Sequence, residues 1–209
     1  MRANAIGMIL AASASAHGIL WIATWSFLRR AQRGWTKAVI ARADMPTMGL
    51  ALSLLGYAGW WLGSAGYAAS PTAFPFRTLS PALCFPHAGL ALLLFGHGLI
   101  LWATLSLGPS FGLRPQIIAE HRLIQHGPYR FMRHPLYTGL HALYLGTFLL
   151  VPCGLFLLSL IVALIGNRQR ARAEECALSA RYGDAYQAYA RFTGRFFPRV
   201  FRRSGGRGT

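Results

Sequence analysis

Four apolar blocks dominate the chain, at residues 5 to 28, 47 to 69, 82 to 107 and 136 to 166. Each has the roughly 20 residues that a helix needs to cross the hydrocarbon of a bilayer. The last is too long for one crossing, since a straight helix of that length would reach roughly 46 Å against a core of about 30 Å. Pro152-Cys153-Gly154 sits at its middle, and the block is expected to double back there. The pattern predicts an all-α integral membrane protein with about five membrane segments, the last two a tight helical hairpin, followed by C-terminal cytoplasmic helices.

Beyond the blocks, residues 167 to 182 are rich in Arg, Ala, Glu and Leu and are followed by Gly183, which predicts a helix with a glycine stop. Asp184 starts another, with Gln187 three residues on as a capping-box pattern, and Pro198 marks its end. The chain divides into residues 1–107, three N-terminal spans; residues 108–198, a C-terminal region holding the candidate site; and residues 199–209, a basic tail expected to be disordered.

Composition agrees with residence in lipid: 54% of the residues are hydrophobic and 12% charged, which excludes an ordinary soluble domain. The placement of charge sets an orientation. Arg29, Arg30, Arg33, Lys37 and Arg42 fill the first loop, Arg77 is alone in the second, and ten arginines follow residue 167. Lys and Arg in short loops stay on the cytoplasmic side, so the N-terminus is expected outside, and the C-terminus and candidate site in the cytoplasm. A formal charge of +16 invites a nucleic-acid reading, but no such motif accompanies it. Arginines beside membrane segments instead imply a bilayer with anionic head groups as the partner. Ala14-Ser15-Ala16 resembles a signal-peptidase site, yet the apolar run continues to Leu28, so a retained span is expected. Cys84, Cys153 and Cys176 have no paired or metal-ligand spacing.

Two polar clusters flank the last apolar block. In the first, residues 127 to 139, Gly127-Pro128 signals a turn and His134-Pro135 a helix start, with His134 as N-cap and the free N–H groups near Leu136 and Tyr137 forming an anion site. Arg130 and Arg133 add positive charge, and Tyr129 and Tyr137 add aromatic faces for a cation or a base. In the second, Arg170, Glu174 and Leu178 share one helix face, and Glu174-Glu175 holds two of the chain's five acidic residues. The plainer alternatives are interface anchoring, assigned to Arg130 and Tyr144, and an ordinary surface ion pair for the second cluster. Spacing of His121, His126 and His134 fits no zinc pattern, so no metal is expected. His17, His87, His97 and His141 lie singly on apolar faces and read as satisfied core histidines. Tyr186, Tyr189, Phe192, Phe196 and Phe197, interleaved with Arg191 and Arg195, read as an amphipathic surface on the bilayer.

Over about its last ninety residues the chain resembles the isoprenylcysteine carboxyl methyltransferase family and its relatives that methylate phosphatidylethanolamine. The matching pieces are His121-Arg122-Leu123-Ile124; Gly127 with Tyr129, Arg133-His134-Pro135, Tyr137 and Gly139; Arg170 with Glu174-Glu175 and Leu178; and Tyr182-Gly183 with Tyr186 and Tyr189. The resemblance implies an integral membrane enzyme that uses S-adenosyl-L-methionine to methylate a lipophilic acceptor. It also implies that His121, Arg122, Leu123, Ile124, Tyr129, His134, Pro135, Leu136, Tyr137, Glu174 and Glu175 hold the cofactor, and that the catalytic residues are Arg170, on the acceptor side, and Arg133. This chain departs from the family in a shortened acidic run, in Arg114 where a cofactor-contacting glutamine is usual, and in an extra residue within Arg195-Phe196-Phe197-Pro198. Two other readings stay open: an NADPH-dependent membrane reductase of the sterol reductase type, and a non-catalytic basic membrane scaffold.

Overall fold

A computed structural model describes residues 3–31, 39–42, 47–71, 79, 84–108, 116–118 and 123–199. Helices α1 (Ala3–Ala31), α2 (Thr47–Ala69), α3 (Pro86–Leu107), α4 (Pro135–Leu150), α5 (Gly154–Tyr182) and α6 (Asp184–Phe192) make up most of it, with a 3-10 turn at Gly127–Arg130. The expectation of an all-α chain needs one amendment. Strands β1 (Val39–Arg42) and β2 (Gln116–Ile118) pair antiparallel, with Val39 opposite Ile118 and Arg42 opposite Gln116.

Helix ends follow local chemistry. Pro86 and Pro135 occupy first-turn positions, where their missing N–H and fixed φ cost nothing. Residues 151–153 join α4 to α5, and the Pro152 carbonyl there accepts a hydrogen bond from Leu79 N at 2.6 Å. Where two elements were expected, an apolar block to residue 166 and a separate helix from 167, α5 runs unbroken through both. Nothing near Asn167 interrupts the i to i−4 bonding, so one helix carries the chain from apolar packing to the polar cluster. The capping box at Asp184 does not form. Gly183, at φ +49°, caps α6 without a side-chain bond, and Asp184 sits inside the first turn.

Side by side, α3 packs on α4 and α2 on α5, while α1 leans on α2. Glycines set the closeness of both main pairs. A Cβ on Gly96 would meet the Gly139 carbonyl at 2.7 Å, and one on Gly89 would meet the Gly146 carbonyl at 2.7 Å. On α2, Gly56 lies against Ser159 and Ala163, and Gly59 and Gly63 against Ser159, Leu155 and Phe156, so that stripe is used within the chain. Leu10, Trp60, Leu143, Leu150 and Phe156 are fully buried between the helices. Trp60 Nε1 donates to Thr147 Oγ1 at 2.8 Å, which satisfies both polar groups in the core.

Three sequence assignments change. Tyr144 is not an interface anchor: it is 2% exposed and packs edge-on against Trp60. His17 is buried and both ring nitrogens of His97 meet backbone carbonyls, of Leu93 and Ser13, as satisfied histidines should, but the two do not lie singly: their ring centroids are 5.8 Å apart between α1 and α3. His87 is exposed at the start of α3.

By length and composition, Ala3–Thr24 of α1 and α3 are able to cross a membrane. The 23 residues of α2 are diluted by Gly, Ser, Trp and Tyr. At 16 residues, α4 reaches only about 24 Å. The outward surface is apolar, with Ile19, Leu62, Leu94 and Leu158 all more than half exposed, while Ser53, Thr147, Ser159 and Asn167 are buried. That is the inverse of a water-soluble bundle.

Candidate active site

The site begins with the way the chain enters α4. Gly127 adopts φ +59°, a region open to glycine at little cost, and Pro128 then starts the 3-10 turn that buries Tyr129. Residues 131–134 run alongside the segment that follows α6. Arg133 N donates to the Gly194 carbonyl at 2.8 Å and His134 N to the Arg195 carbonyl at 3.0 Å, while Gly194 N returns a bond to Phe131 O. Thr138 Oγ1 donates to the Phe196 carbonyl at 2.6 Å. This C-terminal strap and the constraint of Pro135 hold His134 non-helical at the N-cap of α4.

Two helix faces then meet. His134, Tyr137 and His141 stand three and four residues apart on α4; Asn167, Arg170 and Glu174 stand likewise on α5. The rungs pair in antiparallel order. His134 Nδ1 lies 3.4 Å from Glu174 Oε2, and Tyr137 Oη donates to Glu174 Oε1 at 2.5 Å. The Arg170 guanidinium carbon stands 5.4 Å from the centre of the Tyr137 ring, a cation–π contact. Asn167 Nδ2 lies 3.2 Å from His141 Nε2. The His134 and Tyr137 rings stack, with centroids 5.7 Å apart.

Glu175 faces the other way and is fully engaged. Its carboxylate accepts from Arg133 Nε at 2.9 Å, from His134 Nε2 at 3.2 Å and from both Nε and Nη2 of Arg195. Burial alone would push the Glu175 carboxyl up, but the donors of His134, Arg195 and Arg133 hold it well below the usual carboxylate range. Burial likewise pushes the His134 imidazole down, and the hydrogen bonds and charges of Glu174 and Glu175 outweigh it, so its pKa is raised. Tyr129 is pushed well up, by burial first and by the nearby Glu174 charge second. Its carbonyl accepts from Tyr189 Oη at 2.7 Å, tying α6 to the site.

Of the residues expected to matter, Tyr129, His134, Pro135 and Tyr137 are buried together, with Leu136, Arg170, Glu174, Glu175 and Arg133 partly buried around them. Leu123 and Ile124 are half-buried on the approach to the 3-10 turn; His121 and Arg122 lie outside the described residues. The second cluster is not a surface ion pair within one helix, since both glutamates reach across to residues 133–137. Arg133 spends its guanidinium on the fold, donating to Glu175 and to the carbonyls of Ala190 and Thr193. Arg130 stacks on Phe131 at the surface. Tyr186 and Tyr189 turn inward, whereas Phe192 and Phe197 stay exposed.

Sequence reasoning missed Arg195 as a partner of Glu175, the strap of residues 193–196, and the Ser53–Asn167–His141 chain. A signal existed only for Asn167, a lone amide at the edge of an apolar run.

Residues 89–180 match the profile of the isoprenylcysteine carboxyl methyltransferase family. That span includes most of α3, the turn at Tyr129, all of α4 and nearly all of α5, and so every rung described above. Through this region the chain is similar to the isoprenylcysteine carboxyl methyltransferase family. Among curated relatives, a "Probable protein-S-isoprenylcysteine O-methyltransferase" of Oryza sativa, found in both the indica and japonica subspecies, is 30% identical over 125 residues, 54% of this chain and 65% of the relative. A "Protein-S-isoprenylcysteine O-methyltransferase" of Schizosaccharomyces pombe is 33% identical over 110 residues, 49% of this chain and 44% of the relative. The chain thus spans just under two thirds of the rice relatives and under half of the fission yeast one. Arg195 and the strap lie beyond the stretch that the family profile matches.

Proposed function

We propose that this protein is an integral membrane methyltransferase that moves the methyl group of S-adenosyl-L-methionine to a lipophilic amphiphile. The observation that carries this reading is the cluster at the start of α4, where family-type residues of two helices converge. Pro135 has no N–H, and those of Leu136 and Tyr137 belong to the first turn, which a helix leaves open to an anion. Those groups suit the cofactor's carboxylate; Glu174 suits its amino group; Tyr129 and Tyr137 offer faces for the adenine or the sulfonium. Glu175, Arg133 and Arg195 act as positioning residues, fixing His134 and the strap. Arg170, one turn below Glu174, is the acceptor-side cation. His121, Arg122, Leu123 and Ile124 complete the cofactor contacts by position in the family motif.

The chemistry asks little more than placement. The acceptor's lone pair attacks the methyl carbon, the carbon–sulfur bond breaks, and its electron pair stays on sulfur as S-adenosylhomocysteine. Holding the two reactants aligned is worth up to about 7–11 kcal/mol. In the bilayer, we place α1, α2 and α3 as spans and α4 with the first half of α5 as a membrane hairpin, giving five segments. The N-terminus lies outside and the cofactor arrives from the cytoplasm, beside anionic head groups. The acceptor enters sideways from lipid.

Calorimetry of S-adenosylhomocysteine against the purified protein tests the cofactor assignment. Micromolar binding is expected, weakened at least tenfold by Glu174→Ala or Tyr137→Ala, and NADPH is expected not to bind. Membranes incubated with methyl-labelled cofactor are expected to become labelled; Arg170→Ala is expected to lower turnover without changing cofactor affinity. Binding of NADPH in place of S-adenosylhomocysteine would overturn the assignment.

A further inference from the structure

The outward face of α5 changes character along its length. Leu158, Ile161 and Ile165 are 58%, 44% and 47% exposed, as lipid-facing residues are. Further along the same face the exposed residues are Arg168 and Arg172. At about 100° per residue, these five side chains fall within an arc of about 80°. Asn167, Arg170 and Glu174 lie about 170° away, on the face that meets α4. One helix thus carries the candidate active site on one side and, on the other, an apolar rail that ends in two arginines.

Those arginines stand four residues apart, the spacing at which like charges repel along a helix. The acids that could offset them are spent elsewhere. Glu174 reaches His134 and Tyr137, and Glu175 reaches Arg133, His134 and Arg195. Among the described residues no carboxylate pairs with Arg168 or Arg172. A phosphate held between the two guanidinium groups turns that repulsion into attraction and accepts paired hydrogen bonds from each. Along the axis Leu158 stands about 15 Å before Arg168, half of a hydrocarbon core of about 30 Å and so the depth of one leaflet. The rail has the length of an acyl chain whose phosphate is held at its end.

We propose that Arg168 and Arg172, with the rail of Leu158, Ile161 and Ile165, form a binding site for an anionic phospholipid of the cytoplasmic leaflet. The inference rests on the membrane reading above and gives it a particular lipid contact. Charge selects the head group. Phosphatidylcholine brings an ammonium beside two arginines, on a face that offers it no carboxylate, whereas phosphatidylglycerol brings phosphate without a cation. Arg168 and Arg172 bracket Arg170 along the helix axis, so the bound phosphate lies level with the candidate active site on the far side of α5. Holding a phosphate there sets the depth at which that site meets the head groups.

The test uses the full chain in nanodiscs of dioleoylphosphatidylcholine, with a trace of either phosphatidylglycerol or phosphatidylcholine that carries a photoreactive acyl chain. Crosslinks from the phosphatidylglycerol probe are expected within residues 154–168, at least fivefold above those from the phosphatidylcholine probe, a comparison that needs no variant to fold. Unlabelled phosphatidylglycerol should suppress them, and inorganic phosphate should not. Arg168→Gln and Arg172→Gln should each weaken the apparent affinity about fivefold, the scale of one basic residue at a membrane surface, and leave the Kd for S-adenosylhomocysteine unchanged. Arg181→Gln, at an exposed position off the rail, should have no effect on labelling. Equal labelling by the two probes, or suppression by inorganic phosphate, would overturn the proposal. So would equal losses in all three arginine variants, the mark of diffuse attraction to a chain of charge +16. A chain that enters no bilayer would instead overturn the membrane reading, and this inference with it.

Discussion

Replacing Glu175 by alanine removes the acceptor shared by three cationic donors and leaves Arg133, His134 and Arg195 facing one another. Their side chains are 13%, 5% and 34% exposed. The Arg195 arm is the wettest and is worth about 1 kcal/mol or less, as exposed pairs are. The Arg133 and His134 arms are buried, and removing one partner of a buried pair costs about 3–5 kcal/mol. Arg133 keeps its bonds to the Ala190 and Thr193 carbonyls, which places the loss at the lower end, about 3 kcal/mol. For a chain of this length each kcal/mol moves the melting point by about 2–4 °C, so Tm should fall by roughly 6–12 °C. Thermal unfolding in detergent, followed by tryptophan fluorescence, is the assay. Glu175→Gln keeps the size and one acceptor oxygen without the charge and should lose less. A Glu175→Ala protein that melts within a degree or two of the parent would refute the clamp and leave Glu175 free for a direct cofactor contact.

Stability should also depend on pH through the same cluster. The raised His134 pKa gives a contribution that is complete below the ordinary value of about 6.5 and is lost as pH rises through the folded value. The depressed Glu175 pKa gives one that is present above about 4.5 and is lost only as pH falls through its much lower folded value. Tm against pH should therefore be highest between about 4.5 and 6.5, with the alkaline decline absent in His134→Gln. Gly96→Ala puts a Cβ 2.7 Å from the Gly139 carbonyl and 2.8 Å from Leu143 Cδ2, and should cost about 1–3 kcal/mol by thermal unfolding. Gly98→Ala meets nothing within 4 Å among the described residues and should be neutral or stabilising. Trp60→Phe strands Thr147 without its donor and should cost about 1–3 kcal/mol.

Much of this molecule was legible before any coordinates. Proline and glycine act on the backbone within one or two residues, so the start of α4 at Pro135 and the stop at Gly183 follow from sequence alone. The one-face placement of Arg170 and Glu174 is helical arithmetic, equally local. Sequence could name His134, Tyr137 and Glu174 as candidates because family motifs preserve residue type and spacing. What only the tertiary structure decided are the relations between segments. Glu174 and Glu175 are neighbours in the chain yet serve opposite directions, one toward Tyr137 and the other toward Arg133 and Arg195. Tyr144 proved to be core, since burial depends on which helix lies opposite, here α2 with Trp60. The His141–Asn167–Ser53 chain joins three helices through single side chains, and no periodicity within one segment encodes such a meeting. Covalent geometry fixes local conformation residue by residue, whereas a polar contact between distant segments exists only once packing has brought both faces together and excluded the water that would otherwise satisfy them.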